Sequence, residues 1–291
     1  MPLSFAVANL ICALLWAGDL VARGYRIQWL LRGLGQPVSF RDAFRLNAWG
    51  EAGCALTPMR VAGEPMRLLG MLRAGVPATA AFMAIAIEVV AAWPVIITLA
   101  AVGLWRFAPD WLAEARPALL QGVRQRSWWV GAVLLVTVAV GVVASRALRH
   151  AGRGPRRSWK RMLVYGRRVS WWPLVAGAPM TVINVLARSA MLPVLALTLP
   201  LHPPVGVMLV GSFGLLYSQL VLPTPAGAGV VELGFLAGAA GDLSAGNGSS
   251  AALLLVAWRF WSVGAGAVLG LLLAVRSLEW GEIRSLFRKV A

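Results

Sequence analysis

The sequence LPTPAGAGVVE, residues 222–232, separates two apolar segments at 205–222 and 230–242. Each segment is short for a helix that must cross a hydrocarbon core of about 30 Å, which takes about 20 residues. The Thr-Pro pair in the break suits a helix start, because Thr caps the helix and Pro costs no hydrogen bond in its first turn. The glycines that follow allow a tight turn. We therefore predict a re-entrant hairpin over 205–242, with two complete crossings as the alternative.

A related break occurs earlier in the chain, where LTPMRVAGEP occupies residues 56–65 within the moderately apolar segment 40–76. It also begins with Thr-Pro and leads within a few residues to glycine and glutamate. Neither half of the segment is a comfortable crossing. We predict a second re-entrant hairpin over 40–76, again with full crossings as the alternative. Non-helical backbone at such depth is tolerated only against protein or a water-filled cavity.

The composition indicates a membrane protein, since 59% of the 291 residues are hydrophobic, 13% are charged and the mean hydropathy is +0.74. Soluble domains carry about 45–50% apolar and about 25% charged residues, so a soluble enzyme, a disordered chain and a coiled-coil rod are excluded. The apolar segments also lack the two-residue alternation of a porin barrel. Full spans are predicted at about 3–22, 78–105, 128–148, 171–199 and 251–275. We predict an all-α polytopic membrane protein with a single membrane domain over 1–291.

The order span, re-entrant hairpin, span occurs twice, over about 3–105 and about 171–275. The connecting span 128–148 and a basic loop, 149–170, join the two units. Because an odd number of crossings precedes the second unit, the two units begin on opposite sides of the membrane. We therefore predict an inverted repeat, the arrangement of transporters that bind their substrate near the bilayer midplane.

Positive charge sets the expected orientation. The chain has a formal net charge of +16, and nine basic residues lie between Arg146 and Arg168. Basic loops favour the cytoplasmic side, which places the N-terminus outside and the C-terminus in the cytoplasm. We attribute the charge to topology and to anionic lipid rather than to nucleic acid. The two cysteines and two histidines form no ligand pattern, so no metal or cofactor is predicted.

Ionisable side chains at membrane depth are costly and by default indicate function. Eight candidates share this property: Glu51, Arg60, Glu64, Arg67, Glu88, Arg188, Glu232 and Arg259. The arginines can bind a lipid phosphate through their planar forks. The glutamates either couple transport to protons or form structural ion pairs, with Glu64 and Glu232 capping half-helices and neutralising Arg60 or Arg259. Asp19, near a span end, is interpreted as a solvated cap within reach of Arg23.

The segments 57–64 with 67–75, and 222–232 with Ala257-Trp258-Arg259, resemble the two signatures of a flippase-like family that includes the transmembrane region of lysylphosphatidylglycerol synthase. This chain has Pro58-Met59 and Glu88-Val89 where the family has Pro-Gly and Glu-Arg. The resemblance implies translocation of a phospholipid or a polyprenyl/isoprenoid lipid across a bacterial inner membrane. Lipid aminoacylation is not expected, because the synthase's soluble transferase domain has no counterpart here. The substrate-binding set that follows is Arg60, Glu64, Arg67, Arg188, Thr224, Pro225, Gly227, Gly229, Glu232 and Arg259.

We therefore expect a lipid transporter that works by alternating access on a lipid with an anionic headgroup. No HxxxxD, GxSxG, HExxH or Walker-type motif occurs, so no enzyme is predicted. Two alternatives stay open: a membrane enzyme that modifies a lipid with Glu64 or Glu232 as acid and base, and a non-catalytic scaffold for a cell-envelope enzyme. The expected protein partner is either a second copy of this chain, in a homo-oligomer, or a cell-envelope biosynthesis enzyme.

Overall fold

The computed structural model describes residues 2–110, 171–199, 204–220, 222, 224–235 and 248–277, with the single positions 113 and 121. The regular elements within these residues are helices: α1 (Phe5–Gly33), α2 (Phe40–Leu56), α3 (Gly63–Arg73), α4 (Ala78–Phe107), α5 (Trp172–Ala196), α6 (Val205–Ser218), α7 (Gly248–Arg259), a π-helical turn (Phe260–Gly264) and α8 (Ala265–Ser277). Residues 230–235 are also helical. The predicted connecting span, the basic loop and the end of the second hairpin at 236–242 lie outside the described residues.

Four helical segments among the described residues are long and apolar enough to cross a membrane: Phe5–Gly33, Ala78–Phe107, Trp172–Ala196 and Ala252–Ser277. The last of these segments runs through α7, the π-helical turn and α8. The four segments coincide with four of the five predicted spans, and the all-α, multi-pass character is thereby confirmed for the described part of the chain. Helices α2 and α3 are shorter than these segments, with 17 and 11 residues, and α6 is apolar but has only 14 residues. The first span was predicted too short, because α1 continues to Gly33 instead of ending at Ala22.

The first break has a different local structure from the one predicted. Thr57 follows the last turn of α2 with extended backbone, as the residue before a proline prefers, and α3 begins only at Gly63. The Thr57 hydroxyl donates to the carbonyl of Gly53 at 2.7 Å and accepts from the Ala62 N–H at 3.0 Å. The expectation that Thr-Pro starts a helix is therefore wrong here, since Thr57 closes α2. We call residues 57–62 the first tip.

The second break behaves in the same way. Residues 224–229, which we call the second tip, form a turn, and helical structure resumes at 230. Ala226, Gly227 and Gly229 adopt positive φ, and in the first tip Met59 and Arg60 do so too. Left-handed backbone in two adjacent non-glycine residues carries a steric cost, so surrounding contacts must hold the first tip in place.

The two tips touch each other. Pro58 and Pro225 form an isolated antiparallel bridge, and the Met59 N–H donates to the carbonyl of Leu222 at 3.2 Å. The Arg60 guanidinium donates to Oε1 of the fully buried Gln219 at 3.1 Å. The first tip is thereby joined to the second tip at Pro225 and to the end of α6 and the residues after it at Gln219 and Leu222.

Helix packing around the tips is reciprocal. Helix α1 packs along α5, α2 packs against α8, and α4 packs against α6. The α2–α8 contact is very close, because a Cβ added at Gly270 would lie 2.0 Å from the carbonyl oxygen of Ala48. A core around the fully buried Trp258 and Phe235 supports the second tip. The π-helical turn between α7 and α8 separates the part of the last helix that faces this core from the part that faces α2.

Candidate functional site

A polar cavity of about 410 Å³ lies between α1, α2, the first tip, α3, α5 and α6. Its charged lining residues are Arg23, Arg26, Glu51, Arg60, Glu64, Arg67 and Arg188. The five arginine side chains are only 11–16% exposed. So many charges in a helical membrane domain require close pairing, and they fall into two clusters.

The Glu51 cluster comprises Asp19, Arg23, Glu51, Arg60 and Arg188. Arg188 bridges the two acids, with its Nε 2.9 Å from Asp19 Oδ2 and its Nη2 2.8 Å from Glu51 Oε1. Arg23 also contacts both carboxylates, at 2.9 Å to Asp19 and in a close ion pair with Glu51. Arg60 Nη2 lies 3.5 Å from Glu51 Oε2. Three guanidiniums thus face two carboxylates, so the cluster carries one positive charge more than negative charge.

The Glu88 cluster comprises Arg26, Glu64, Arg67 and Glu88, so its two positive charges balance its two negative charges. Arg26 donates to Glu88 Oε1 from Nε at 2.8 Å and from Nη2 at 2.5 Å, and its Nη1 donates to the Thr181 hydroxyl at 3.1 Å. Arg67 pairs closely with Glu88 and also donates to both Glu64 oxygens at 3.0 Å. The Glu64 side chain is 47% exposed, whereas Glu88 is buried. This cluster holds α1, α3, α4 and α5 together.

Some donors at the cavity are unused. The Nε atoms of Arg23 and Arg67 are buried and have no hydrogen-bond partner. A buried donor without a partner is unfavourable, so these groups suit an acceptor-rich ligand. In the part of the chain that the structure describes, no three His, Cys, Asp or Glu side chains are grouped to hold a metal ion. The unused donors and the surplus charge both favour an anion.

Apart from Arg188, the predicted site residues of the second half of the chain lie at or beside the second tip and do not line the cavity. Glu232 accepts from the Gly229 N–H at 2.6 Å and pairs with Arg259 Nε at 2.6 Å. Arg259 also donates to the Ala226 carbonyl at 3.0 Å. The Thr224 hydroxyl is buried without a partner. Arg259 and Glu232 therefore hold the turn that contains Gly227 and brings Pro225 against the first tip.

Glu51, Glu88 and Glu232 each form an ion pair with arginine, which is one of the two roles that the sequence left open for them, and Glu64 pairs with Arg67 and not with Arg60. The interpretation of Asp19 as a solvated cap is wrong, because its side chain is fully buried between two arginines.

Sequence reasoning missed Arg23 and Arg26 as site residues, because it placed both beyond the end of the first span. Their spacing from Asp19, four and seven residues, puts all three on one face of a longer helix.

The family described as lysylphosphatidylglycerol synthase TM region matches residues 3–270. The chain belongs to this family. The match confirms the resemblance drawn from the two breaks, and it extends over all the described helices up to the middle of α8. No curated protein and no solved structure matches the chain. Together with the four candidate spans, membership indicates a multi-pass, lipid-related membrane protein.

The residues that line the polar cavity all lie within the part of the chain that matches the lysylphosphatidylglycerol synthase TM family. Helices from both halves of the chain build the cavity, since α1, α2 and α3 come from the first unit and α5 and α6 from the second. The charged residues that line it come from α1, α2, the first tip, α3 and α5.

Proposed function

We propose that the chain moves a phospholipid or a polyprenyl/isoprenoid lipid with an anionic headgroup between the two leaflets by alternating access. The observation that carries this proposal is the surplus positive charge and the unused guanidinium donors of the polar cavity. A phosphate diester supplies one negative charge and several acceptors, which complements the Glu51 cluster. Taking a charged headgroup through hydrocarbon is otherwise very costly.

The reciprocal packing supports an inverted repeat. In the proposed correspondence α1 matches α5, α2 matches α6, and α4 matches α7 and α8. The first spans of both units contact each other, and the first hairpin arm of each unit packs against the last span of the other. The two Thr-Pro breaks meet at Pro58 and Pro225, which occupy equivalent positions. A pseudo-twofold axis through the tips would produce each of these pairings.

Re-entry of the hairpins is part of the proposal and has a direct test. In a cysteine-free background with Cys12→Ala and Cys54→Ala, single cysteines replace Gln36 before α2 and Val61, an exposed residue of the first tip. If both arms of 40–76 cross completely, a membrane-impermeant thiol reagent labels Gln36→Cys and Val61→Cys from opposite sides. If the segment re-enters, the reagent does not label Val61→Cys from the side opposite to Gln36→Cys. The same assay at the termini tests the predicted outside N-terminus and cytoplasmic C-terminus.

The proposed mechanism begins with Arg60, which links the first tip to Gln219 at the end of α6, just before the second tip, and also pairs with Glu51. A phosphate that enters the cavity competes for Arg60, Arg188 and the unused Nε of Arg23. Helix α3 adds the positive end of its dipole, because its first residues Gly63 and Glu64 line the cavity. When Arg60 turns from Gln219 to the phosphate, the first tip loses its contact with the end of α6 and the tips can separate, which opens the cavity toward the other leaflet.

Reconstitution tests the transport function. Purified protein in phosphatidylcholine vesicles is expected to accelerate leaflet exchange of a labelled phosphatidylglycerol. Arg188→Gln is expected to slow this exchange by about tenfold or more, since a hydrogen bond to a charged group is worth about 1.5–3 kcal/mol. The matched control is Arg32→Gln, an exposed arginine on α1 outside the cavity. Exchange no faster than in empty vesicles would contradict transport.

The same preparation separates the alternatives. A chemically altered lipid, absent after Glu64→Gln or Glu232→Gln, would favour a lipid-modifying enzyme. No exchange and no new product, together with a co-purifying cell-envelope enzyme, would favour a scaffold.

A further inference from the structure

A second cavity lies between α4, α5 and α6, and we call it the apolar groove. It has a volume of about 550 Å³ and is lined almost wholly by carbon. On α4 it extends from Leu99 to Phe107, which is about 12 Å of helix, and Ala108 directly after α4 also lines it. On α6 it extends from Val207 to Gly214. Its walls come from two candidate membrane spans and the short apolar helix α6.

The apolar groove and the polar cavity are neighbours. Val185 on α5 lines both of them. Arg188, almost one turn further along α5, lines the polar cavity, whereas Ser189 lines the groove. One turn of α5 thus presents a guanidinium to one space and a hydroxyl to the other. A molecule with a charged end and a hydrocarbon end fits this boundary.

Ser189 is the one polar side chain among the described residues that line the groove. It is 2% exposed, and its hydroxyl has no hydrogen-bond partner. A serine inside a helix can satisfy its hydroxyl by bonding to the carbonyl four residues earlier, but Ser189 does not. A buried hydroxyl without a partner is unfavourable, so this one is set up to donate to a ligand.

Glycines leave one wall of the groove unfilled. Gly211 and Gly214 lie three residues apart on α6 and both line the groove. A Cβ added at either position would meet nothing within 4 Å. The space beside them is therefore open at the Cβ positions, and larger side chains there would extend into the groove.

We propose that the apolar groove holds one ester-linked acyl chain of the lipid whose headgroup occupies the polar cavity, with the Ser189 hydroxyl donating to the ester carbonyl. This inference rests on the proposed function and adds the substrate class, a glycerophospholipid with an ester-linked chain. The headgroup lies on the Arg188 side of α5 and the chain on the Ser189 side, so Val185 lies at the boundary between them.

The first test fills the groove. Full-length Gly211→Leu/Gly214→Leu is compared with wild type and with Gly18→Leu, an exposed glycine on α1 that also has nothing within 4 Å of an added Cβ. Phosphatidylglycerol with a photoreactive group on one acyl chain is added to bilayer nanodiscs, irradiated, and its adducts are mapped. We expect adducts on 99–108 and 207–214 in wild type and Gly18→Leu, and their loss in the filled variant.

Lipids that merely surround the protein would also label exposed residues, so headgroup dependence is the decisive comparison. Adducts in the groove are expected to fall in Arg188→Gln, because the chain in the groove belongs to the lipid held at Arg188. Adducts elsewhere on the surface are expected to stay unchanged. Groove labelling that is unchanged in Arg188→Gln and also unchanged in Gly211→Leu/Gly214→Leu would overturn the proposal.

A second test addresses Ser189. Ser189→Ala is expected to slow exchange of a diester phosphatidylglycerol and to leave exchange of its diether analogue unchanged, since the ether lacks the carbonyl. If both lipids slow equally, the hydroxyl has a structural role and its assignment is wrong. Binding of short-chain phosphatidylglycerol at the polar cavity separates the two levels: its failure refutes the proposed function, whereas normal binding with no groove adducts refutes the groove alone.

Discussion

Glu51→Gln is expected to weaken the fold and to strengthen anion binding at the same time. Glu51 is 5% exposed and pairs with Arg23, Arg60 and Arg188. Glutamine has the same shape but no charge, so the Glu51 cluster changes from three guanidiniums against two carboxylates to three against one. Asp19 stays as the only acid in the cluster.

The stability cost follows from the buried pairing. Removing one partner of a buried ion pair costs about 3–5 kcal/mol. We expect about 3 kcal/mol, because Arg23 and Arg188 keep their contacts with Asp19. The apparent melting temperature of the purified protein in neutral detergent measures this loss. The control is Glu64→Gln, whose half-exposed carboxylate pairs with Arg67 only and is expected to cost less than about 1 kcal/mol.

The gain in binding follows from the extra positive charge. At an effective dielectric constant of about 20, a charge about 8 Å from a bound phosphate contributes about 2 kcal/mol, or roughly thirtyfold in affinity. Titration with short-chain phosphatidylglycerol, followed by calorimetry, measures this change. Saturating lipid should therefore raise the melting temperature of Glu51→Gln more than that of wild type.

Stability and anion affinity are expected to change in opposite directions in Glu51→Gln, so measuring both tests the role of Glu51. A variant that is less stable and also binds the anionic lipid more weakly would show that Glu51 shapes the cavity instead of setting its charge. Unchanged stability would show that the ion pairs contribute nothing to the fold. Binding of short-chain phosphatidylcholine serves as the reference, since its zwitterionic headgroup carries no net charge and should gain little.

Three further outcomes are expected. Gly270→Ala should destabilise the protein by about 1–3 kcal/mol, because the added Cβ meets a backbone carbonyl of α2, whereas Gly18→Ala has open space; melting temperatures compare them. Arg259→Gln should slow lipid exchange but leave headgroup affinity unchanged, since Arg259 pairs with Glu232 at the second tip and does not line the cavity; equal losses in exchange and affinity would contradict this assignment. Gln219→Leu should cost about 1–3 kcal/mol, because it removes the acceptor that links the end of α6 to the first tip, and a melting temperature like that of wild type would show that the link is dispensable.

The sequence predicted the features that depend on length and pattern. Four spans follow from apolar runs, and the two breaks follow from proline and glycine. The start of α3 could not be predicted from the Thr-Pro pair, because Thr57 bonds back to α2 through Gly53. That choice depends on contacts across the break, which no local pattern contains.

The site was predicted only in part, for a related reason. Buried charges such as Glu51 and Arg188 were recognised because charge at membrane depth is unusual. Asp19, Arg23 and Arg26 were misjudged because the first span was ended at the first arginine. Whether an arginine at a span end faces solvent or a cavity depends on its neighbours, and here α2 and α5 supply them.

The π-helical turn at Phe260–Gly264 has a consequence for how much sequence change the last helix tolerates. A π turn contains one residue more than the α-helical turn it replaces, which rotates everything after it by about 100°. Loss of a single residue there would leave Trp258 in its core but swing Gly270 away from Ala48, so a bulkier side chain would meet α2. The spacing between Trp258 and Gly270 is therefore under tighter constraint than the identity of the residues between them. In a library of single deletions and insertions across 260–264, the yield of folded protein should be highest at the natural length and fall sharply with one residue fewer or one residue more.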